Sequence, residues 1–299
     1  MMSIKVQNIS KSYKNLKAVD SVSFEVKKGE LFGLIGPDGA GKTTLFRILT
    51  TLLIADEGSA AIMGFDVVRD YKSIRSAVGY MPGKFSLYQD LTVEENLTFF
   101  ATLFGTTIAE NYELIKDIYI QIEPFKNRRA GALSGGMKQK LALCCALIHA
   151  PKVLFLDEPT TGVDPISRKE FWEMLKRLQQ QDITILVSTP YMDEASLCDR
   201  IALIQHGVVL KIDSPENIIK NYDKTIYDVA TKNTHSLIHD LKNYPSQYSV
   251  YAFGEFVHYT DQENNFDRKE LEKYLKDKNH TDIKIKQAQI AIEDVFMDL

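Results

Sequence analysis

Short apolar stretches separated by turn residues open the chain. Residues 4–9, residues 21–26 in apolar alternation and the nearly unbroken apolar run 30–35 predict three strands. The third runs straight into a glycine-rich turn, and residues 42–51 then take helical spacing. Strand, glycine turn and helix in that order give the turn a structural context. From residue 92 to 148 the pattern becomes helical, opened by the capping box Thr92-Val93-Glu94-Glu95, which predicts a mostly helical insert over about 84–140. The period then shortens again. Residues 152–156 form a continuous apolar run ending in Asp157-Glu158, 165–181 read as a helix, and 183–188 read as another buried strand. Strands alternating with helices predict an α/β fold on a mostly parallel sheet, with an antiparallel β part beside it. Residues 201–204 and 208–212 flank Gln205-His206-Gly207 as a hairpin, and Ser214-Pro215 opens a short helix that closes the first domain.

The boundary is expected near Asn221, dividing the chain into domains 1–220 and 221–299. In the second, strands at 225–231, 248–253, 255–260 and 282–287 and helices at 234–243 and 267–278 run in the order of a small ferredoxin-like α+β domain. It holds no glycine loop and no clustered ligand set, which leaves a regulatory or docking role and a stabilising appendage both open.

Composition narrows the partners. Hydrophobic residues make up 44% and charged ones 25%, an ordinary globular balance, and the formal net charge is -4. That gives no basic footprint for nucleic acid, which is not expected as a partner. The longest apolar run, 141–148, is too short to span a bilayer, and the opening MMSIKVQNIS lacks the basic and apolar regions of a signal peptide. The expectation is a soluble, cytoplasmic protein. Cys144 and Cys145 are adjacent in that apolar run and Cys198 is distant, so they read as buried reduced thiols rather than a disulfide or zinc set.

The candidate chemistry lies in three places. Gly36-Pro37-Asp38-Gly39-Ala40-Gly41-Lys42-Thr43 is a complete phosphate-binding loop, with Thr44 following. Its glycines let backbone amides approach phosphate oxygens, the helix start adds positive dipole character, and Lys42 brings a cation to the outer phosphates of a nucleotide such as ATP. Thr43 is suited to ligate Mg²⁺. The strand VLFLDE delivers Asp157 to the magnesium shell and Glu158 beside it, where its carboxylate can polarise an attacking water. A second glycine element, Leu133-Ser134-Gly135-Gly136-Met137-Lys138-Gln139, again starts a helix.

Over residues 1 to about 220 these elements closely resemble the ATP-binding subunits of ABC transporters, P-loop NTPases. LSGGMKQ resembles the family's signature motif, VLFLDE its Walker B strand, and Thr161-Gly162-Val163-Asp164 the loop lining the subunit interface. Tyr13 matches the aromatic that stacks on adenine. The resemblance implies that Ser134, Gly135 and Gly136 close over ATP held by a partner subunit, so that two subunits sandwich two nucleotides and hydrolysis reopens them to drive a membrane permease. The tail, Ala291-Ile292-Glu293-Asp294-Val295-Phe296-Met297-Asp298-Leu299, is similar to the closing motif of ATPases serving type-2, drug-export-like ABC exporters, as is Asp38. It also implies a peripheral position on the inner face of the cell membrane. The groove that docks a permease helix is expected near residues 83–97.

Two positions depart from the family. After Tyr80-Met81-Pro82 the family usually carries glutamine and this chain has Gly83; after Val187-Ser188-Thr189 it usually carries histidine and this chain has Pro190, which lacks both a side-chain donor and a backbone N–H. Losing one positioned polar or acid-base group costs on the order of 10²- to 10⁴-fold in rate. Three readings remain: a slow site paired with a different, catalytically complete ATPase subunit, which is favoured; an ordinary homodimer in which Lys84 or Gln89 compensates; or a nucleotide-binding regulator without turnover. The transported molecule is not encoded in this chain.

Overall fold

The computed structural model describes residues 2–262 and 266–299, which divide into two compact units, Met1–Pro215 and Glu216–Leu299. In the larger unit β1 (Met2–Tyr13), β2 (Leu16–Lys27) and β3 (Leu31–Ile35) precede α1 (Lys42–Leu49). Then come β4 (Glu57–Ile62), β5 (Phe65–Asp66), α2 (Tyr71–Ala77) and β6 (Val78–Met81), and the helical stretch α3 (Val93–Leu103), α4 (Tyr112–Tyr119) and α5 (Gly135–Leu147). The unit ends with β7 (Val153–Asp157), α6 (Pro165–Gln180), β8 (Thr184–Thr189), β9 (Arg200–Gln205) and β10 (Val208–Asp213).

Two sheets result. One has the order β10-β9-β3-β8-β7-β6, parallel except for the β9–β10 hairpin. The other is antiparallel in the order β2-β1-β4-β5. One hydrophobic core joins Ile4, Val6 and Val26 of the antiparallel sheet, Phe32 and Phe155 of the parallel one and Phe46 and Leu49 of α1. The helix carrying the phosphate loop is therefore anchored to both sheets. The β9–β10 turn puts His206 at φ 50° and Gly207 at φ 79°, the left-handed pair that a two-residue hairpin loop requires.

The capping box at the start of α3 forms as expected: Glu95 N donates to Thr92 Oγ1 and Thr92 N to Glu95 Oε2. Elements β4, β5, α2 and β6 were not expected. The first two strands are also twice as long as predicted, because bulges near Asn8 and Ser21, both at positive φ, interrupt their alternation.

Helix α7 (Pro215–Lys220) starts on the last residue of the larger unit, and the smaller unit continues with β11 (Ile226–Ala230), α8 (Thr234–Lys242), β12 (Gln247–Phe253), β13 (Phe256–Asp261), α9 (Arg268–Asp277), β14 (Lys284–Gln287) and α10 (Ile292–Asp298). Its antiparallel sheet has the order β12-β13-β11-β14, the ferredoxin-like arrangement, and Val229, Leu237, Tyr259 and Leu271 belong to a separate core. Cys144, Cys145 and Cys198 are buried and unpaired.

Candidate functional site

Strand β3 is buried along its whole length and delivers Gly36 beside β8, where Gly36 N donates to the Thr189 carbonyl at 3.2 Å. A methyl group at Gly36 would stand 2.0 Å from the Ile204 carbonyl oxygen, and one at Gly41 would stand 2.2 Å from that of Ala18. Gly41 also takes φ 99°, so only glycine fits there without strain. Among the described residues, the amides of Asp38, Gly39, Gly41, Lys42, Thr43 and Thr44 make no hydrogen bond. Six unpaired donors thus surround the start of α1, where the helix dipole adds to them; this is an anion site in search of oxygens. Asp38 and Gly39 are exposed, Pro37, Thr43 and Thr44 half-buried, and Ala40 and Lys42 buried. The Lys42 ammonium is held by oxygens alone: the carbonyls of Gly36 at 2.7 Å and Pro37 at 3.0 Å, and Glu158 Oε1 at 3.1 Å.

The acidic side of the site is built by the fully buried β7. Asp157 is 1% exposed and accepts from Ser188 Oγ at 2.7 Å, which orients one carboxylate oxygen. Glu158 stands at φ 50°, a left-handed conformation that costs a non-glycine residue about 1–3 kcal/mol. Two bonds hold it there, from Glu158 N to Ser188 O and to Ser188 Oγ, each at 3.1 Å. Asp157 and the Thr43 hydroxyl are hard oxygen donors of the kind Mg²⁺ prefers, so the residues present fit that ion. Burial, and then the charge of Asp157, push the Tyr80 hydroxyl up to about 12, keeping it neutral beside the site.

Position 83 faces this acidic end. A methyl group on Gly83 would lie 3.0 Å from the Asp157 carbonyl oxygen and 3.8 Å from Glu158 Cβ, yet no side chain projects there. Pro190 directly follows Thr189, whose carbonyl receives the phosphate loop. Of the two proposed substitutes, Lys84 and Gln89 are both exposed to solvent, and the Gln89 backbone carbonyl accepts from Gly131 N in the turn before the signature element.

The signature element has its own contacts. Ser134 caps α5, its Oγ accepting from Met137 N at 3.4 Å. A methyl on Gly136 would meet Ser167 Oγ at 2.7 Å, and one on Gly135 would reach the Gly162 carbonyl at 3.5 Å, so both glycines fit against the start of α6. Asp164 caps α6 by accepting from Ser167 N at 3.0 Å, a bond that lowers its carboxyl below the usual range. Among the described residues no hydrogen bond or ion pair joins residues 134–136 to the phosphate loop. Tyr13 ends β1 and is 43% exposed, free to meet a planar ligand.

A cavity of about 610 Å³ opens in the larger unit, with Met81, Phe85, Leu87, Phe100 and Phe104 among the apolar residues of its wall and His149 at its edge. It overlaps in part the stretch 83–97 where a docking groove is expected. Only the first part of that stretch lines it, because Val93, Asn96 and Leu97 turn inward and Asn96 is consumed in bonds to Tyr88. The rest of the wall comes from the second half of α3, from α5, and from α2, β6 and the turn after α1. Ser188 was missed because an isolated serine in an apolar strand carries no sign that it orients a carboxylate.

A family model described as ABC transporter matches residues 19–161. The probable multidrug ABC transporter ATP-binding protein YbhF of Escherichia coli (strain K12) is 40% identical over 72% of this chain, and the match spans 38% of that relative's length. The Nod factor export ATP-binding protein I of Sinorhizobium fredii (strain NBRC 101917 / NGR234) is 34% identical over 100% of this chain and 86% of its own. Among solved structures, cbiO1 of Clostridium perfringens, part of the ABC transporter complex cbiONQ, is 25% identical with a TM-score of 0.66, over 74% of this chain and 91% of that one.

Proposed function

Because the chain belongs to the ABC transporter family, we propose that it is the ATP-binding, ATP-hydrolysing subunit of an exporter, dimerising around nucleotide to power transport by separate membrane subunits. The observation that carries this reading is Lys42, buried among unpaired loop amides and paired with Glu158 at 3.1 Å. In this reading Tyr13 stacks on adenine, residues 36–44 bind the phosphates, Thr43 and Asp157 hold Mg²⁺, and Glu158 activates water. Ser134, Gly135 and Gly136 serve the nucleotide of a second ATP-binding subunit. Bound magnesium neutralises charge on the terminal phosphates. Phosphate oxygens compete for the Lys42 ammonium; once it leaves Glu158, the carboxylate is free to accept a proton from the attacking water.

The site turns over slowly on its own, since neither Gly83 nor Pro190 supplies a donor, and the intact signature element completes a competent site on a different ATPase subunit. A heterodimer is the preferred assembly. Among the described residues no helix is long and apolar enough to cross a membrane, and the chain works on the cytoplasmic face against permease subunits. The apolar cavity beside α3 and α5 receives the apolar face of a permease helix.

ATP hydrolysis by the purified chain, alone and with a complete second ATPase subunit, tests the proposal. Turnover is expected to be slow alone and brisk in the pair, and to depend in the pair on Ser134. Brisk turnover by the lone chain, abolished by Glu158→Gln, would establish the homodimeric enzyme instead; tight ATP binding with no turnover in any pairing would establish a regulator.

A further inference from the structure

Glu194 lies in the 3-10 turn Met192–Leu197 and is 2% exposed. Its two carboxylate oxygens are fully used. Oε1 accepts from Thr160 Oγ1 at 2.8 Å and from Arg168 Nε and Nη2 at 3.2 and 3.0 Å, and Oε2 accepts from Thr189 Oγ1. The Arg168 guanidinium lies 4.2 Å over the ring of Tyr191. A carboxylate buried to this degree persists because it is paired and hydrogen-bonded on both oxygens.

The elements it joins are the ones that flank the hydrolytic site. Thr160 lies two residues beyond Glu158, and the loop is tied back to that residue by the bond from Thr161 N to Glu158 O. Thr189 precedes Pro190, and its carbonyl receives Gly36 N of the phosphate loop at 3.2 Å. Tyr191 N donates to Thr189 Oγ1 at 3.1 Å, closing the turn around Pro190. A single buried carboxylate thus connects the segment after the acidic pair with the segment after β8.

Resting on the assignment of Glu158 to water activation, we propose that Glu194 is a positioning residue for ATP hydrolysis: it fixes residues 158–164 against residues 189–191, and so holds the Glu158 carboxylate in register with the phosphate loop. It touches neither nucleotide nor water. This brace matters more in a chain whose residue 190 offers no donor, because the geometry of Glu158 then depends on its surroundings alone.

The test compares the full chain with Glu194→Ala and with the double variant Thr160→Val/Thr189→Val, which detaches both segments while leaving the carboxylate and Arg168 in place. Amide hydrogen exchange is expected to rise roughly tenfold or more in peptides covering 158–164 and 188–194, and to stay unchanged in β1, β2 and residues 226–287. Binding of Mg-ATP should stay within about threefold, while hydrolysis at this chain's own site, measured on the chain alone, should fall about 10²-fold in kcat with KM nearly constant. Glu194→Gln, which keeps the shape and can keep both threonine contacts, should recover most of kcat.

Unchanged exchange and kcat in the double variant would overturn the proposal. So would an exchange increase spread across the whole larger unit, which would mark a purely structural ion pair. If Glu194→Ala does not fold, the double variant decides alone. Failure of the wild-type chain to bind Mg-ATP would overturn the functional reading instead; the exchange comparison would still show whether the brace exists.

Discussion

Gly83 and Pro190 stand where their missing side chains would count. The built methyl position at Gly83 lies 3.0 Å from the Asp157 carbonyl oxygen, so a longer side chain there would start directly over the acidic pair. The backbone at Gly83 is not in the left-handed region, which removes conformational strain as an obstacle to substitution. The contact is tight by a few tenths of an ångström, and the half-buried Pro82 and exposed Lys84 leave the segment able to shift that far. Gly83→Gln combined with Pro190→His is therefore expected to raise the lone chain's kcat by on the order of 10²-fold or more while leaving ATP affinity nearly unchanged. Steady-state hydrolysis beside a direct binding titration would check this. No gain in kcat, with both variants folded and binding ATP, would mean that something other than these two groups limits the site.

At the scale of elements, α5 and the cavity beside it concentrate the unusual packing. His149 follows α5, stacks on Phe104 with ring centres 3.8 Å apart, and engages the Val78 carbonyl through Nε2 at 3.1 Å, leaving Nδ1 buried without a partner. Burial depresses its pKa below the ordinary 6.5, opposed by the bond to Val78, so the ring is held neutral. Because the folded value lies below the unfolded one, its contribution to stability is complete above about pH 6.5 and is lost as pH falls through the folded value. His149→Gln should flatten the acid side of the stability curve, read from denaturant midpoints at several pH values; an unchanged acid slope would show that the ring is not the group responsible. The same region explains what the sequence could not reveal. The path from β3 through the glycine turn to α1 was legible because an apolar run, a glycine pattern and a helical period follow one another locally. Strand β6 was not, since Gly79 must let the Ala146 carbonyl approach to 2.4 Å of where a side chain would begin, and the glycine erases the apolar signal of that short strand. Ser188 and Glu194 escaped because their partners, Asp157 and Thr160, are 31 and 34 residues distant, and polar contacts of that separation leave no periodic trace.

The whole molecule consists of two units, each with its own hydrophobic core, and the smaller one carries a buried charge cluster unrelated to nucleotide chemistry. His258 is 2% exposed, with Nδ1 2.6 Å from Asp294 Oδ1 and Nε2 3.0 Å from Asp228 Oδ1. The ring thus sits between two carboxylates, one at each nitrogen. Tyr251 OH also donates to Asp294 Oδ1, and Ala291 N donates to Asp294 Oδ2, so the cluster pins the start of α10 to the sheet strands that bear Tyr251, His258 and Asp228. Removing the imidazole leaves Asp294 only its bonds from Tyr251 and Ala291, and Asp228 its pair with Lys286 at 3.2 Å, and removing one partner of a buried pair costs up to about 3–5 kcal/mol. The loss falls on the smaller core, whereas ATP stabilises only the unit that binds it, by about 2.7 kcal/mol at a hundredfold excess over Kd. Calorimetry of His258→Ala should consequently show two transitions, the lower insensitive to ATP and the upper raised by it, with ATP affinity equal to that of the unmodified chain. A single ATP-dependent transition in the variant would mean instead that the two cores unfold as one cooperative body, and that the tail contributes to the stability of the nucleotide site.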